Sequence, residues 1–179
     1  AQRTRPSVEE LYVFADPAQR DRVERLFALR QRLREAALPA RQGGAVVQQL
    51  FPEEFEAEFL LASGELLGYP ACCTAAYTRE RIGGTNVELR ASAQAREAVG
   101  DGVLFAYFAR DFFPCRPTCA AAEKLGREYY RRLQELDSGL GELYKAHVVS
   151  NRREIITYPE RIRRHERRLQ QRARPGRRR

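Results

Sequence analysis

Apolar residues recur along most of the chain at the spacing of amphipathic helices. Asp16 and Pro17 form a cap and first-position pair, and one apolar face then continues to Leu38, where Pro39 is expected to end the helix. The clearest stripe follows Pro117, with leucine and tyrosine at every third or fourth position. Helices are predicted to start near Ser7 and to cover residues 17–38, 52 to 64 or 68, 70–81, 86–98, 117–136, 140–149 and 159–173.

Two segments do not show a clear period. Residues 103–113 are rich in aromatic side chains and suit either a helix or a buried strand, so they are predicted to be core. The segment 45–47 is short and its structure is ambiguous, and a strand is the less favoured interpretation of it. The pattern therefore predicts a mainly α fold: a compact helical domain of about six to eight helices, at most a minor sheet, and a basic C-terminal helix and tail.

Charge divides the chain into two predicted parts. Residues 152–179 hold 12 arginines against three glutamates, a net charge of +9, which leaves residues 1–151 at −1 of the total +8. We therefore expect a helical domain over residues 1–151 and an arginine-rich helix and tail over 152–179. No apolar stretch is long enough to cross a bilayer, and the N-terminal residues do not resemble a signal peptide, so no membrane partner is expected.

The four cysteines of the chain, Cys72, Cys73, Cys115 and Cys119, fall in two clusters. Each cluster contains proline, any residue and cysteine, followed by alanine-rich sequence that favours a helix. Proline is common at the first helical position, so Cys72 and Cys119 are predicted in the first turns of two helices, where the helix dipole favours a thiolate. All four sulfurs are expected to converge in one pocket. The two segments with this pattern of proline, any residue and cysteine are Pro70-Ala71-Cys72 and Pro117-Thr118-Cys119.

A metal centre is the chemistry that four clustered thiols favour. The three residues between Cys115 and Cys119 suit zinc, but adjacent side chains such as Cys72 and Cys73 diverge by about 100° on a helix. An iron–sulfur cluster such as a 4Fe–4S cubane accepts ligands from diverging directions, so it is the preferred cofactor, with zinc as the alternative. Thiol–disulfide chemistry and four inert buried cysteines are the other interpretations.

The sequence around these cysteines resembles an uncharacterised prokaryotic family, a domain of unknown function found in archaea and bacteria. The resemblance covers roughly residues 50–150. It implies that the four cysteines act together, and it implies no activity. The chain departs from the family at Pro117 and residues 120–122, where members often carry a small polar residue. The matching positions are Gly68, Tyr69, Pro70, Cys72, Cys73, Pro114, Cys115 and Cys119.

Two hypotheses of function follow. The first is a cytoplasmic protein that holds an iron–sulfur centre in a redox, sensing or enzyme-accessory role, with a protein or enzyme as its partner. The second is a zinc-stapled module that binds nucleic acid through residues 152–179, without sequence preference. His147 is a further candidate ligand or proton carrier. The candidate phosphate contacts are Arg161, Arg163, Arg164, Arg167, Arg168 and Arg172.

Overall fold

A computed structural model describes Val13 and residues 16–41, 51–98 and 101–173 of the chain. These residues form helices and no strand, which confirms the mainly α prediction. Two compact units divide between Glu53 and Glu54. The predicted helix near Ser7 and the segment 45–47 lie outside the described residues. The α-helices are α1 (Arg20–Arg41), α2 (Ala57–Leu66), α3 (Ala71–Ile82), α4 (Val87–Glu97), α5 (Ala120–Leu136) and α6 (Ser138–Ala173).

The first unit contains α1. The Asp16 carboxylate caps the 3-10 turn Pro17–Gln19 that leads into it, by accepting a hydrogen bond from the Ala18 amide at 2.9 Å. Contrary to prediction, Pro39 does not end the helix, which continues to Arg41. So close to a C-terminus, a proline removes only one of the last hydrogen bonds of the ladder.

The second unit begins within a 3-10 turn, Pro52–Phe55. The predicted helix from Pro52 is interrupted at Glu56 and resumes as α2. Of the two residues that could cap α4, Thr85 and Asn86, it is Asn86 whose side chain accepts a hydrogen bond from the Leu89 amide, at 2.9 Å. None of the described helices has the length and apolar character needed to cross a membrane.

The two predicted helices 140–149 and 159–173 are a single helix, α6, which passes through Pro159. A proline costs the helix a hydrogen bond and crowds the carbonyls of the preceding turn. Here Ser92 and Arg96 of α4 both donate to the Ile156 carbonyl at 2.9 Å, so α4 supplies donors where the proline weakens the ladder. The predicted division of the chain at residues 151 and 152 falls inside this helix.

Residues 103–113 form the core, as predicted, but they are neither an α-helix nor a strand. A 3-10 helix, Asp101–Tyr107, is followed by irregular chain, and Tyr107 is 1% exposed. Backbone packs directly on backbone here, because a Cβ on Gly126 of α5 would lie 2.1 Å from the Phe105 carbonyl oxygen. This approach fixes α5 against the segment that leads to the second cysteine cluster.

Candidate metal centre

The first cysteine cluster lies in the first turn of α3. Gly68 adopts a left-handed conformation (φ 68°) that turns the chain after α2, and Pro70 then occupies the N-cap of α3. The helix begins at Ala71, so Cys72 and Cys73 occupy its second and third positions. The predicted place of Cys72 in a first turn is confirmed, with proline one position earlier than expected.

The second cluster approaches the same point from a different direction. Cys119 is the N-cap of α5 and not a first-turn residue, because the helix starts three residues after Pro117. The backbone N–H of Cys119 donates to the Arg116 carbonyl at 3.1 Å, which closes a tight turn before the helix. Cys115 precedes this turn, and its backbone N–H donates to the Cys73 sulfur at 3.5 Å.

All four sulfurs converge, which confirms the predicted common pocket across the gap between the clusters. The Cys73 and Cys119 sulfurs are 3.5 Å apart, Cys72 and Cys119 are 3.7 Å apart, and no pair among the four exceeds 4.8 Å. All four are free thiols. Together they can hold a metal ion.

The adjacent pair does not diverge as expected. The Cys72 and Cys73 sulfurs are 4.0 Å apart, although the residues are neighbours on a helix. Rotation about χ1 carries a sulfur away from the direction of its Cβ, so two adjacent cysteines can aim at one point. Cys73 and Cys119 are buried whereas Cys72 is exposed, so the cluster has a closed side and a side that faces solvent.

The pKa values of three of the thiols are shifted, and not all in the same direction. Burial raises the pKa of Cys73 well above its usual range, despite the N–H that Cys115 donates to its sulfur. Burial also raises the pKa of Cys115. Burial alone would raise the pKa of Cys119 as well, but the backbone N–H of Ala122 and hydrogen bonds from the other three thiols lower it. Cys119 is therefore better prepared than Cys73 or Cys115 to bind a cation as thiolate.

Arg90 of α4 binds the backbone directly before Cys115. Its guanidinium donates to the Pro114 carbonyl at 2.9 Å and binds the Glu80 carboxylate of α3 through two nitrogens, at 2.7 and 3.1 Å. It therefore links the helix that carries Cys72 and Cys73 to the residue before Cys115. Sequence analysis did not identify Arg90 or Glu80. No sequence pattern indicates that Arg90 contacts residues 10 and 24 positions away.

Aromatic side chains belong to the same core cluster as Cys73 and Cys119. The rings of Tyr69 and Phe112 meet edge to face at 4.9 Å, and Tyr69 also contacts Phe108. Tyr77, one turn after Cys73 on α3, packs parallel to Phe113 with ring centroids 6.3 Å apart. Ordinary core packing accounts for these contacts.

The remaining predicted residues do not join the cysteines. The His147 ring nitrogen Nε2 lies 3.1 Å from the Asn151 side chain, and His147 is not part of the cysteine group. The side chain of Arg172 lies outside the described residues. The other five candidate phosphate contacts are exposed on α6: Arg161, Arg163, Arg164, Arg167 and Arg168.

Similarity to known proteins adds no information about the function. Comparisons with models of known protein families, with curated proteins and with solved structures gave no match to this chain.

Proposed function

We propose that Cys72, Cys73, Cys115 and Cys119 bind a single zinc ion as four thiolates. The separation of the sulfurs carries this proposal. Four sulfurs at 2.3 Å from one tetrahedral ion lie about 3.8 Å from each other. The separations of 3.5, 3.7 and 4.0 Å within this group match that value, and the largest stays within 4.8 Å.

An iron–sulfur cluster, the cofactor preferred from the sequence, is the second candidate for the same ligands. In a cubane each cysteine binds a different iron and the sulfurs radiate outward, so they lie roughly 6 Å apart. The sulfurs, now 3.5 to 4.8 Å apart, would have to separate by roughly 1 to 2.5 Å to accept it. The first cluster and the turn before α5 would move, which is why we favour a single ion.

The proposed centre stabilises the fold. Four thiolates complete the tetrahedron of zinc and leave no position for a substrate, which is typical of structural sites. The ion would join α3, the turn after Cys115 and the start of α5, in a region where irregular chain replaces regular hydrogen bonding. Binding energy of a structural ion contributes directly to folding. Free thiols also support the predicted cytoplasmic location.

A zinc-stapled protein that binds nucleic acid is a second function, supported by the C-terminal part of α6. The arginines whose side chains are described there are exposed, and Arg163, Arg164, Arg167 and Arg168 form no ion pair with the described side chains. These arginines would neutralise phosphates of the nucleic-acid backbone and make no contact with the bases. Thiol–disulfide exchange is a third possibility for the metal-free chain, because exposed Cys72 lies 3.7 Å from Cys119.

Cobalt substitution tests the proposed coordination. The metal-free chain is titrated with Co²⁺ and then with Zn²⁺ under anaerobic conditions. Four thiolates around one ion should give strong sulfur-to-cobalt charge transfer and intense visible bands that saturate at one equivalent, and zinc should then displace the cobalt. Weak bands of octahedral cobalt, or saturation unchanged by Cys119→Ser, would contradict the proposal.

A further inference from the structure

A second site lies between α3, α4, α6 and the irregular chain after the 3-10 helix. It is a cavity of about 370 Å³, a volume in the range of small-molecule sites. Aromatic rings of Tyr77, Phe113 and Tyr158 line it together with charged side chains. None of the four cysteines lines it, so it is distinct from the proposed metal centre.

Most of the positive charge in the cavity already has a partner. Arg81, with a side chain only 14% exposed, pairs with Glu88 at 2.6 Å and donates to the Tyr77 hydroxyl at 2.8 Å. Arg110 and Arg161 lie at the exposed rim, each 3.8 Å from the same Glu154 carboxylate. The three arginines of the lining are thus all paired with Glu88 or Glu154, and Asp111 is a further carboxylate beside them.

Two oxygen acceptors in the wall remain available to a ligand. Asn151 is 5% exposed, and its amide nitrogen donates to the Tyr107 carbonyl at 3.2 Å and faces His147, which directs the amide oxygen away from them. That oxygen accepts no hydrogen bond from the described residues. Asp111 likewise forms no hydrogen bond or ion pair with them.

The backbone presents Asp111 in an uncommon conformation. Its φ of 57° is left-handed, and it is the one residue other than glycine with a positive φ among those described. Aspartate tolerates this region better than most residues. Buried Phe112 follows directly, so the position of Asp111 at the wall is fixed by core packing.

We propose that this cavity binds a small, flat organic cation that carries N–H donors, such as an amidinium or guanidinium compound. Its N–H groups would donate to the Asp111 carboxylate and the Asn151 amide oxygen. A flat cation also stacks favourably on an aromatic face, and Phe113 and Tyr158 offer rings in this lining, whereas Arg81 already lies over the Tyr77 ring at 5.2 Å. An anion would be repelled by Asp111, and it would have to displace Glu154 from both rim arginines.

Three isosteric probes test the charge requirement on the full chain by isothermal titration calorimetry. Benzamidine is cationic, benzamide neutral and benzoate anionic, while their size and shape are nearly the same. We expect benzamidine to bind saturably and at least tenfold more tightly than benzamide, and benzoate not to bind. Tighter binding of benzoate, equal binding of all three, or no binding of benzamidine would overturn the proposal.

Asp111→Asn locates the site, because asparagine also tolerates the left-handed backbone. Loss of one charge-assisted hydrogen bond should weaken benzamidine about tenfold and leave benzamide unchanged. Glu135→Gln, an exposed carboxylate on α5, is the control and should have no effect. Equal weakening by both variants would show general attraction to a surface and would contradict the proposal. Melting curves verify that both variants fold.

Discussion

Replacing Arg90 by methionine should weaken both the fold and the metal centre. The arginine side chain is 17% exposed and its Glu80 partner 21%, so water only partly compensates for the lost pair. The substitution removes two hydrogen bonds to Glu80, one to the Pro114 carbonyl and one to Gln94 at 2.8 Å. Methionine keeps a similar length and an apolar stem, which limits the loss of packing.

The expected loss is about 3 kcal/mol in the free energy of unfolding, the lower end for breaking a largely buried ion pair and leaving its carboxylate unpaired. Urea denaturation of the zinc-loaded chain measures it. Since Pro114 directly precedes Cys115, zinc affinity should fall as well, measured by competition with a chromophoric chelator. Arg90→Lys should recover part of both losses, because lysine keeps the charge without the bidentate geometry.

Arg131→Met is the matched control. Arg131 pairs with Glu135 at 2.7 Å on α5, but both side chains are about 60% exposed, so its removal should cost no more than about 0.5 kcal/mol. If Arg90→Met behaved like this control, the bridge between α3 and the second cluster would not exist. A large loss of stability with unchanged zinc affinity would show that Arg90 supports the fold alone.

Three further predictions concern packing, acidity and charge. Gly126→Ala should destabilise the chain by about 3 kcal/mol in urea denaturation, since the new methyl group meets the Phe105 carbonyl, whereas a stabilised variant would refute that close approach. Zinc affinity should rise by at least about a hundredfold per pH unit from about pH 6 to 8. Because the pKa values of Cys73 and Cys115 are raised, at least two protons must leave when zinc binds, and each contributes about tenfold per pH unit. An affinity that does not change with pH would contradict this. Deleting residues 160–179, which removes ten arginines and two glutamates, should abolish salt-sensitive binding to oligonucleotides and leave zinc binding intact, and sequence-selective binding by the shortened chain would contradict it.

The sequence was sufficient to predict the helical class and the meeting of the two cysteine clusters. Both predictions depend on local rules: apolar spacing indicates helices, and proline before a helix start orients the residues that follow. The same reasoning overestimated the divergence of Cys72 and Cys73, because it followed the Cβ direction and ignored rotation of the side chain. The preference for an iron–sulfur centre rested on that step.

Other features depended on contacts that are distant in sequence. Pro159 does not interrupt α6, where Ser92 and Arg96, some sixty residues earlier, bond to a carbonyl of the preceding turn. Arg90 joins Glu80 to Pro114 in the same way. Residues 103–113 have no clear period because most of their side chains are buried on several sides at once, so periodicity could not assign a regular element.

Metal and sulfide content of the chain purified anaerobically is the most direct test of the proposed centre. Elemental analysis should find one zinc per chain. A sulfide assay should find no acid-labile sulfide, and the absorption spectrum should show no visible bands. A chain with both Cys115→Ser and Cys119→Ser should lose that zinc. Iron and sulfide in equal amounts with broad visible absorption would show a cluster in place of a single ion. Zinc retained in full by the double variant would contradict coordination by these four cysteines.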